Sequence, residues 1–340
     1  MSETVQPLTG DRQLANSKGT ATRDRPSLRA IVLLNDGAGR LSQDRDRPVQ
    51  DIVASELSAA GIEADIRLVS GSDLQAAAET AARSDVDVVI AGGGDGTLST
   101  VAGALVGTGM PLGVLPQGTL NHFAKDLGIP LEVAEAVRTI AARNVADVDV
   151  GQVNDRVFIN NSSIGLYPLM VRDRETRQNR DGHGKWTAML LAMVRVFRLF
   201  PLVKVRLTTE GGALLLKTPL VFVGNNCYQL DLLNIGSRAC VNKGELSLYV
   251  ATARTRWGMI KLTVRAMLGR LEQSRDFETF SVTNCRIETR RRRTHVAVDG
   301  EVLRLETPLD YRVRPGLLKV CLPPKDWETQ PAASPGRTSA

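Results

Sequence analysis

Residues Val86 to Asn121 read VDVVIAGGGDGTLSTVAGALVGTGMPLGVLPQGTLN. The segment opens on a short, mostly apolar run, Val86 to Ala91, rich in β-branched residues, as in a buried parallel strand. It breaks into Gly92-Gly93-Gly94-Asp95-Gly96-Thr97, after which Leu98, Val101, Ala102 and Leu105 recur at helical spacing. A second apolar run, Leu112 to Leu115, breaks into Pro116-Gln117-Gly118-Thr119. A further helix is expected from Asn121 to Gly128, with Pro130 just beyond. Strand, glycine loop and helix thus occur twice in succession.

Glycines at such a break suit a phosphate. Several backbone N–H groups must point at its oxygens, and side chains would obstruct the approach. A helix N-terminus adds unpaired N–H groups and a positive dipole end. The loop is not a dinucleotide fingerprint, because Thr97 stands where a third glycine is required, and no Gly-Lys-Ser/Thr follows to make a Walker loop. Asp95 sets it apart. A carboxylate beside a phosphate is repelled unless Mg²⁺ lies between them or it takes a proton from an attacking hydroxyl, and both options point to phosphoryl transfer. The plainer role for Asp95 is a helix N-cap.

Working outward, Leu28–Leu34 reads as a first buried strand that ends in Asn35-Asp36-Gly37-Ala38-Gly39. A helix (Pro48–Ala60), a strand (Ala64–Val69) and a helix (Ser72–Arg83) follow, and Leu131–Ala142 is a further helix. This alternation describes a doubly wound α/β sheet, whose ligands bind outside the carboxyl ends of the strands. The loops after Leu34, Ala91 and Leu115 all fall at such ends. Alone, Asn35–Gly39 is a plain turn.

After about Val150 the grammar changes to β. Ala146–Val150, Val157–Asn160, Val203–Thr208, Pro219–Val223, Gly244–Ala251, Phe280–Glu288, Thr294–Val298 and Tyr311–Val313 read as strands of a mostly antiparallel second domain. Asp299-Gly300 reads as a hairpin turn. Two basic, apolar stretches interrupt this domain, Tyr167–Phe200 and Arg254–Arg270. Each reads either as a helix on an anionic lipid surface or as one packed on the sheet with a solvated basic edge. Met1–Ser27 reads as a disordered leader, and residues after Pro323 as a polar tail. The domains are therefore expected at 28–149 and 150–322.

Hydrophobic residues make up 43% of the 340, enough for a real core, and the net charge of +6 suggests an anionic partner. Aromatic residues are only 4%, which argues against a stacking platform for single-stranded nucleic acid. Cys227, Cys240, Cys285 and Cys321 lie far apart in sequence, with no CxxC spacing, and read as buried thiols of a reducing compartment. No signal peptide and no apolar run of membrane-spanning length is visible. The expectation is a cytoplasmic protein that visits the inner membrane face, with room for a homodimer.

Gly93-Gly94-Asp95-Gly96-Thr97 followed by Leu115-Pro116-Gln117-Gly118-Thr119-Leu120-Asn121 resembles the catalytic domain of diacylglycerol kinases and their bacterial lipid-kinase relatives, a group that includes sphingosine kinases. The first element is shared with NAD kinases; the second separates the lipid branch. The resemblance runs from about Leu28 to Leu322. It implies an N-terminal doubly wound nucleotide-binding domain and a mostly antiparallel, β-sandwich-like domain of NAD kinase/diacylglycerol kinase type. It also implies ATP as phosphate donor, Mg²⁺, and a lipid alcohol of diacylglycerol type as acceptor.

Carried over residue by residue, the resemblance implies nucleotide contacts at Asn35, Asp36, Gly37, Gly39, Gly92, Gly93, Gly94, Gly96, Thr97, Gly118, Thr119 and Asn121. Asp36 replaces the family's proline. Asp299-Gly300-Glu301 matches the family's Asp-Gly-Glu, which gives Glu301 the role of proton acceptor beside Asp95. Asp95, Asp149 and Asp299 are the implied metal-binding carboxylates. Two positions depart from the pattern. His122 stands where the family has aspartate, and Lys243 stands where relatives with a structural Mg²⁺ have aspartate. These departures motivate an alternative, a catalytically silent nucleotide or lipid sensor of the same fold. NAD kinase is a third reading.

Overall fold

A computed structural model describes residues 27–37, 48–165, 202–228, 238–240, 243–251, 255, 257–258 and 277–324. The expected leader, Gly39, the basic segment Tyr167–Phe200, most of Arg254–Arg270 and the tail beyond 324 lie outside the described residues.

The first part of the chain alternates strands and helices. They are β1 (Leu28–Asn35), α1 (Val49–Ala59), β2 (Ile62–Val69), α2 (Leu74–Ala82), β3 (Val88–Gly93), α3 (Asp95–Leu105), β4 (Leu112–Pro116), α4 (His122–Asp126) and α5 (Val133–Ala141). The four strands are parallel in the order β2-β1-β3-β4. Alternate residues of each strand face opposite ways. Ile31, Leu33, Val89 and Ala91 pack on α2 and α3, whereas Ala30, Val32, Leu34, Val88 and Ile90 pack on α1 and α5. Burial on both faces explains why β3 and β4 are continuous apolar runs.

The rest is β. It comprises β5 (Val145–Val153), β6 (Arg156–Phe158), β7 (Asn161–Gly165), β8 (Val203–Thr209), β9 (Gly212–Thr218), β10 (Leu220–Asn225), β11 (Cys227–Tyr228), β12 (Arg238–Cys240), β13 (Leu246–Ala251), β14 (Phe277–Val282), β15 (Asn284–Thr289), β16 (Arg293–Val298), β17 (Glu301–Glu306) and β18 (Leu309–Cys321). Among the described residues, one sheet runs β14-β13-β10-β7-β16-β17. It packs face to face on β8, β15 and the first half of β18. Ile164, Val221, Val223, Leu248, Val296 and Val298 meet Val205, Leu207, Ile287, Leu309 and Tyr311 there. The Tyr311 hydroxyl reaches Ser162 Oγ at 3.0 Å across this interior, so its buried polar end is satisfied.

The doubly wound layer and the β-sandwich-like layer are therefore both present, and they share a sheet. Strand β18 pairs with β15 at its start and with β4 at Val320, and β5 follows it along most of its length. Leu318 and Val320, near the end of the chain, are core residues of the first domain.

Four local differences from the sequence expectation have physical causes. Phe280–Glu288, expected as one strand, is two, β14 and β15, which break at Thr283 and belong to different sheets. The short strand Tyr311–Val313 is the start of the thirteen-residue β18. Strand β7 escapes detection because its sequence, NSSIG, is small and polar although Ser162 and Ser163 are fully buried. Strand β9, GALLLKT, escapes because an edge strand lacks the alternation of a half-buried one. The Asp299-Gly300 turn is as expected, with positive φ at both residues (47° and 91°), as a tight hairpin turn needs.

Cys285 and Cys321 are buried free thiols, and burial pushes them up to about 12 and about 11. Cys227 and Cys240 are register partners across β11 and β12.

Leu318→Ala is expected to cost about 2–5 kcal/mol in urea unfolding, the range for a fully buried leucine. A loss well under 1 kcal/mol would show that the end of β18 is not part of the first domain's core.

Candidate functional site

The three glycine-bearing loops meet at the carboxyl edge of the parallel sheet. The β3–α3 and β4–α4 loops touch backbone to backbone. A Cβ on Gly118 would lie 2.5 Å from Gly94 Cα and 2.8 Å from Asn121 Oδ1. A Cβ on Gly93 would strike the Thr97 side chain at 2.5 Å, and one on Gly92 would strike Leu34 at 2.3 Å. A Cβ on Gly96, by contrast, would meet open space. The first loop joins through Asn35, whose Nδ2 donates to Thr97 Oγ1 at 2.9 Å while its Oδ1 accepts from Gly37 N at 2.9 Å. Asp36 and Gly37 lie exposed beyond it.

Helix α3 starts from Gly94 without a side-chain cap. The amides of Asp95, Gly96 and Thr97 have no acceptor among the described residues, as at other helix starts that lack a cap. Asp95 does not cap its own helix. Its Oδ1 accepts from Phe123 N at 3.1 Å and so caps α4, while Oδ2 has no partner among the described residues. Asn121 sits at the start of α4 in the left-handed region (φ 50°). Its side chain closes on Gly118, with Gly118 N donating to Oδ1 at 2.8 Å and Nδ2 donating to Gly118 O at 2.9 Å. Thr119 is exposed beside this clasp. Next to Gly92, the Gln117 Nε2 is a buried donor without a partner.

The acidic residues of the second domain are brought to this edge by different bonds. Asp299 accepts four hydrogen bonds, from Ser99 Oγ (2.5 Å), Ile159 N (2.8 Å), Asn160 N (2.8 Å) and Asn161 N (2.9 Å). Burial pushes its pKa up from the ordinary aspartate value, and the bonds, Ser99's foremost, pull the other way. Ser99 lies one helical turn after Asp95 on the same face of α3. The Asp299–Gly300 turn therefore docks on the face of α3 that carries Asp95, and it brings exposed Glu301, the first residue of β17, with it. Asp149, buried in β5, accepts from Gly244 N (2.8 Å) and from Gly316 N (2.9 Å) at the bulge of β18.

These bonds bear on the metal reading. With two donors on each oxygen, Asp299 has no open position for a cation. Asp149 accepts one backbone amide on each oxygen. Both aspartates act as clamps between separate pieces of chain. Asp95, with one oxygen open beside the glycine loops, fits Mg²⁺, which uses one or two carboxylates together with phosphate oxygens and water. No group of three or more His, Cys, Asp or Glu able to hold a metal occurs among the described residues. His122 opens α4. Lys243 N donates to Asn226 Oδ1 at 3.0 Å, in the loop held by Asp149.

Sequence reasoning missed Ser99 and the buried pair Asn225 and Asn226. Helical spacing from Asp95 points to Ser99. Asn225 Nδ2 donates to the carbonyls of Asp149 and Ile159, and only the fold brings these together.

Comparison with known proteins places the chain. Residues 29–153 match the model of the diacylglycerol kinase catalytic domain, and residues 172–322 match that of the YegS C-terminal NAD kinase beta sandwich-like domain. The chain thus carries a diacylglycerol kinase catalytic domain followed by a YegS-type C-terminal domain. A probable lipid kinase YegS-like protein of Citrobacter koseri is 31% identical over 51% of this chain and 58% of its own length. A probable lipid kinase YegS of Salmonella newport is 32% identical over 42% of this chain and 49% of its own. The chain spans about half the length of the curated relatives it matches. A crystal structure of a putative diacylglycerol kinase from Bacillus anthracis shares the fold, with a TM-score of 0.67 at 23% identity over 87% of this chain and 98% of that one. No described helix is long and apolar enough to cross a membrane.

Gly118→Ala is expected to lose about 1–3 kcal/mol, the cost of forcing atoms into filled space. Gly96→Ala should be neutral or stabilising by about 0.5–1 kcal/mol, because its Cβ meets nothing and alanine favours the helix. Thermal unfolding of the two variants checks the contrast. Ser99→Ala, which leaves Asp299 one donor short, is expected to cost about 1–3 kcal/mol in the same measurement.

Proposed function

We propose that this chain is a lipid kinase that transfers the γ-phosphoryl group of ATP, with Mg²⁺, to the hydroxyl of a diacylglycerol-like lipid alcohol. One observation carries the reading. Three strand-end loops converge around uncapped helix amides, and Asp95 keeps an open carboxylate oxygen beside them. The domain matches and the names of the relatives agree with it.

Phosphoryl transfer is mostly positioning and charge neutralisation, so few groups are needed. The amides of residues 95–97, with that of Thr119 at the neighbouring loop, would receive the nucleotide phosphates; the Gly118 amide is already held by Asn121. Asn35 holds Thr97 in place, and Asn121 holds Gly118. Asp95 would hold Mg²⁺, which when bound neutralises charge on the phosphates. Glu301 is exposed at the tip of its hairpin and would take the proton of the lipid hydroxyl. Asp299 and Asp149 are positioning residues that keep the hairpin and the β18 bulge where they are.

The test is purified protein, labelled ATP and a panel of neutral lipids. Asp95→Asn and Glu301→Gln are each expected to lower turnover about 10²–10⁴-fold, the range for a missing acid–base group. Chelation of Mg²⁺ should stop it. Lack of any Asp95-dependent lipid product would remove the reading. Lys243 and His122 favour a second reading, a nucleotide-binding sensor, whose mark is ATP binding without turnover and indifference to Glu301→Gln. Formation of NADP from NAD would instead revive NAD kinase.

A further inference from the structure

Among the described residues strand β9 is the edge of its sheet, and it carries Leu214, Leu215 and Leu216 in succession. Its outer face shows Leu215, 84% exposed, directly opposite Arg206 of β8. One step along that face, Lys217 stands opposite Lys204, and Leu202, 40% exposed, precedes β8. Like charges directly opposed across a ladder are destabilising. The register of Thr289 with Val205 sets the β15–β16 connection, Arg290-Arg291-Arg292, at the Lys204 end of the same sheet. None of Lys204, Arg206, Lys217, Arg290 and Arg291 has an ion pair among the described residues; Glu288 faces Arg206 in register, Arg292 lies in the field of Glu306, and Arg293 pairs with that carboxylate. Exposed leucines among an excess of cations thus occupy one corner of the molecule.

We propose that this corner, the outer face of β8–β9 with the Arg290–Arg292 connection, docks on an anionic phospholipid bilayer. Cations meet lipid phosphates and the opposed lysines lose their repulsion, while Leu215 and Leu202 enter the headgroup–acyl boundary. None of the residues 202–209, 212–218 and 290–292 is an aromatic of the kind that stacks on single-stranded nucleic acid. A second copy of this chain would bring cation against cation. The surface is built from residues other than Tyr167–Phe200 and does not require that a lipid be the substrate. Strand β16 separates it from the Asp299 turn by about 20 Å, at ~3.4 Å per residue over six residues.

Vesicle co-sedimentation without nucleotide tests the proposal, independently of any kinase activity. Full-length protein is expected to sediment with phosphatidylcholine vesicles that contain phosphatidylglycerol, weakly with phosphatidylcholine alone, and less as salt rises. Lys204→Gln with Lys217→Gln should lower the partition coefficient about 25-fold, at roughly fivefold per cation. Arg290→Gln with Arg291→Gln, on a separate loop, should do the same, and Leu215→Ser should lower it about tenfold. Circular dichroism and melting temperature of these surface variants should match the parent. Equal binding to neutral vesicles, or parental binding by both cation variants, would overturn the proposal. So would a Leu215→Ser variant that loses a dimer in sedimentation velocity but keeps its vesicle binding, or capture of nucleic acid in preference to vesicles.

Discussion

A carboxylate taken out of water must be surrounded by donors, and Asp299 finds four of them on separate pieces of chain. One is a hydroxyl of α3 in the α/β layer, and three are the successive amides of Ile159, Asn160 and Asn161, where β6 passes into β7. The bond set leaves the β16–β17 turn one position, against the helix that begins at the glycine loop. Asp149 acts likewise at the other seam, where it gathers Gly244 and the bulge at Gly316. The placement of Glu301 follows from these clamps, because the residue itself is exposed and is carried by its hairpin.

The glycine loops answer a different constraint, that of space. Parallel strands end at one edge, so loops that follow β1, β3 and β4 arrive together whatever their sequences. Whether they can close on one another depends on what a Cβ would strike. Gly118 and Gly94 meet where no side chain fits, and the Asn35–Thr97 and Asn121–Gly118 bonds then fix the approach. Asp95 fits the same economy. By capping α4 across the gap it couples two helix starts, and it does so with one oxygen only.

The chemistry and the basic leucine corner lie at opposite ends of β16. One end holds the Asp299 turn, whose carboxylate accepts four hydrogen bonds; the other holds opposed lysines and an exposed edge strand. The recess of about 430 Å³ between β8, β15 and β18 shares no lining residue with the glycine loops, and Arg286 in it is already paired with Asp310.

Sequence alone determined the doubly wound layer and the glycine loops, because strands buried on both faces are apolar runs and because a glycine cluster marks a break where chain segments approach closely, as the clearances at Gly93 and Gly118 show. It also determined the Asp299-Gly300 turn, which needs two residues that tolerate positive φ. It could not reveal that Phe280–Glu288 divides between two sheets at Thr283, that polar NSSIG forms a central strand, or that the end of β18 lies in the first domain's core. Those outcomes rest on partners remote in sequence. For the same reason the metal-like aspartates 149 and 299 are legible as acids but not as clamps. A carboxylate's role is set by which donors reach it, and only the tertiary structure brought Ser99, Gly244 and Gly316 within reach.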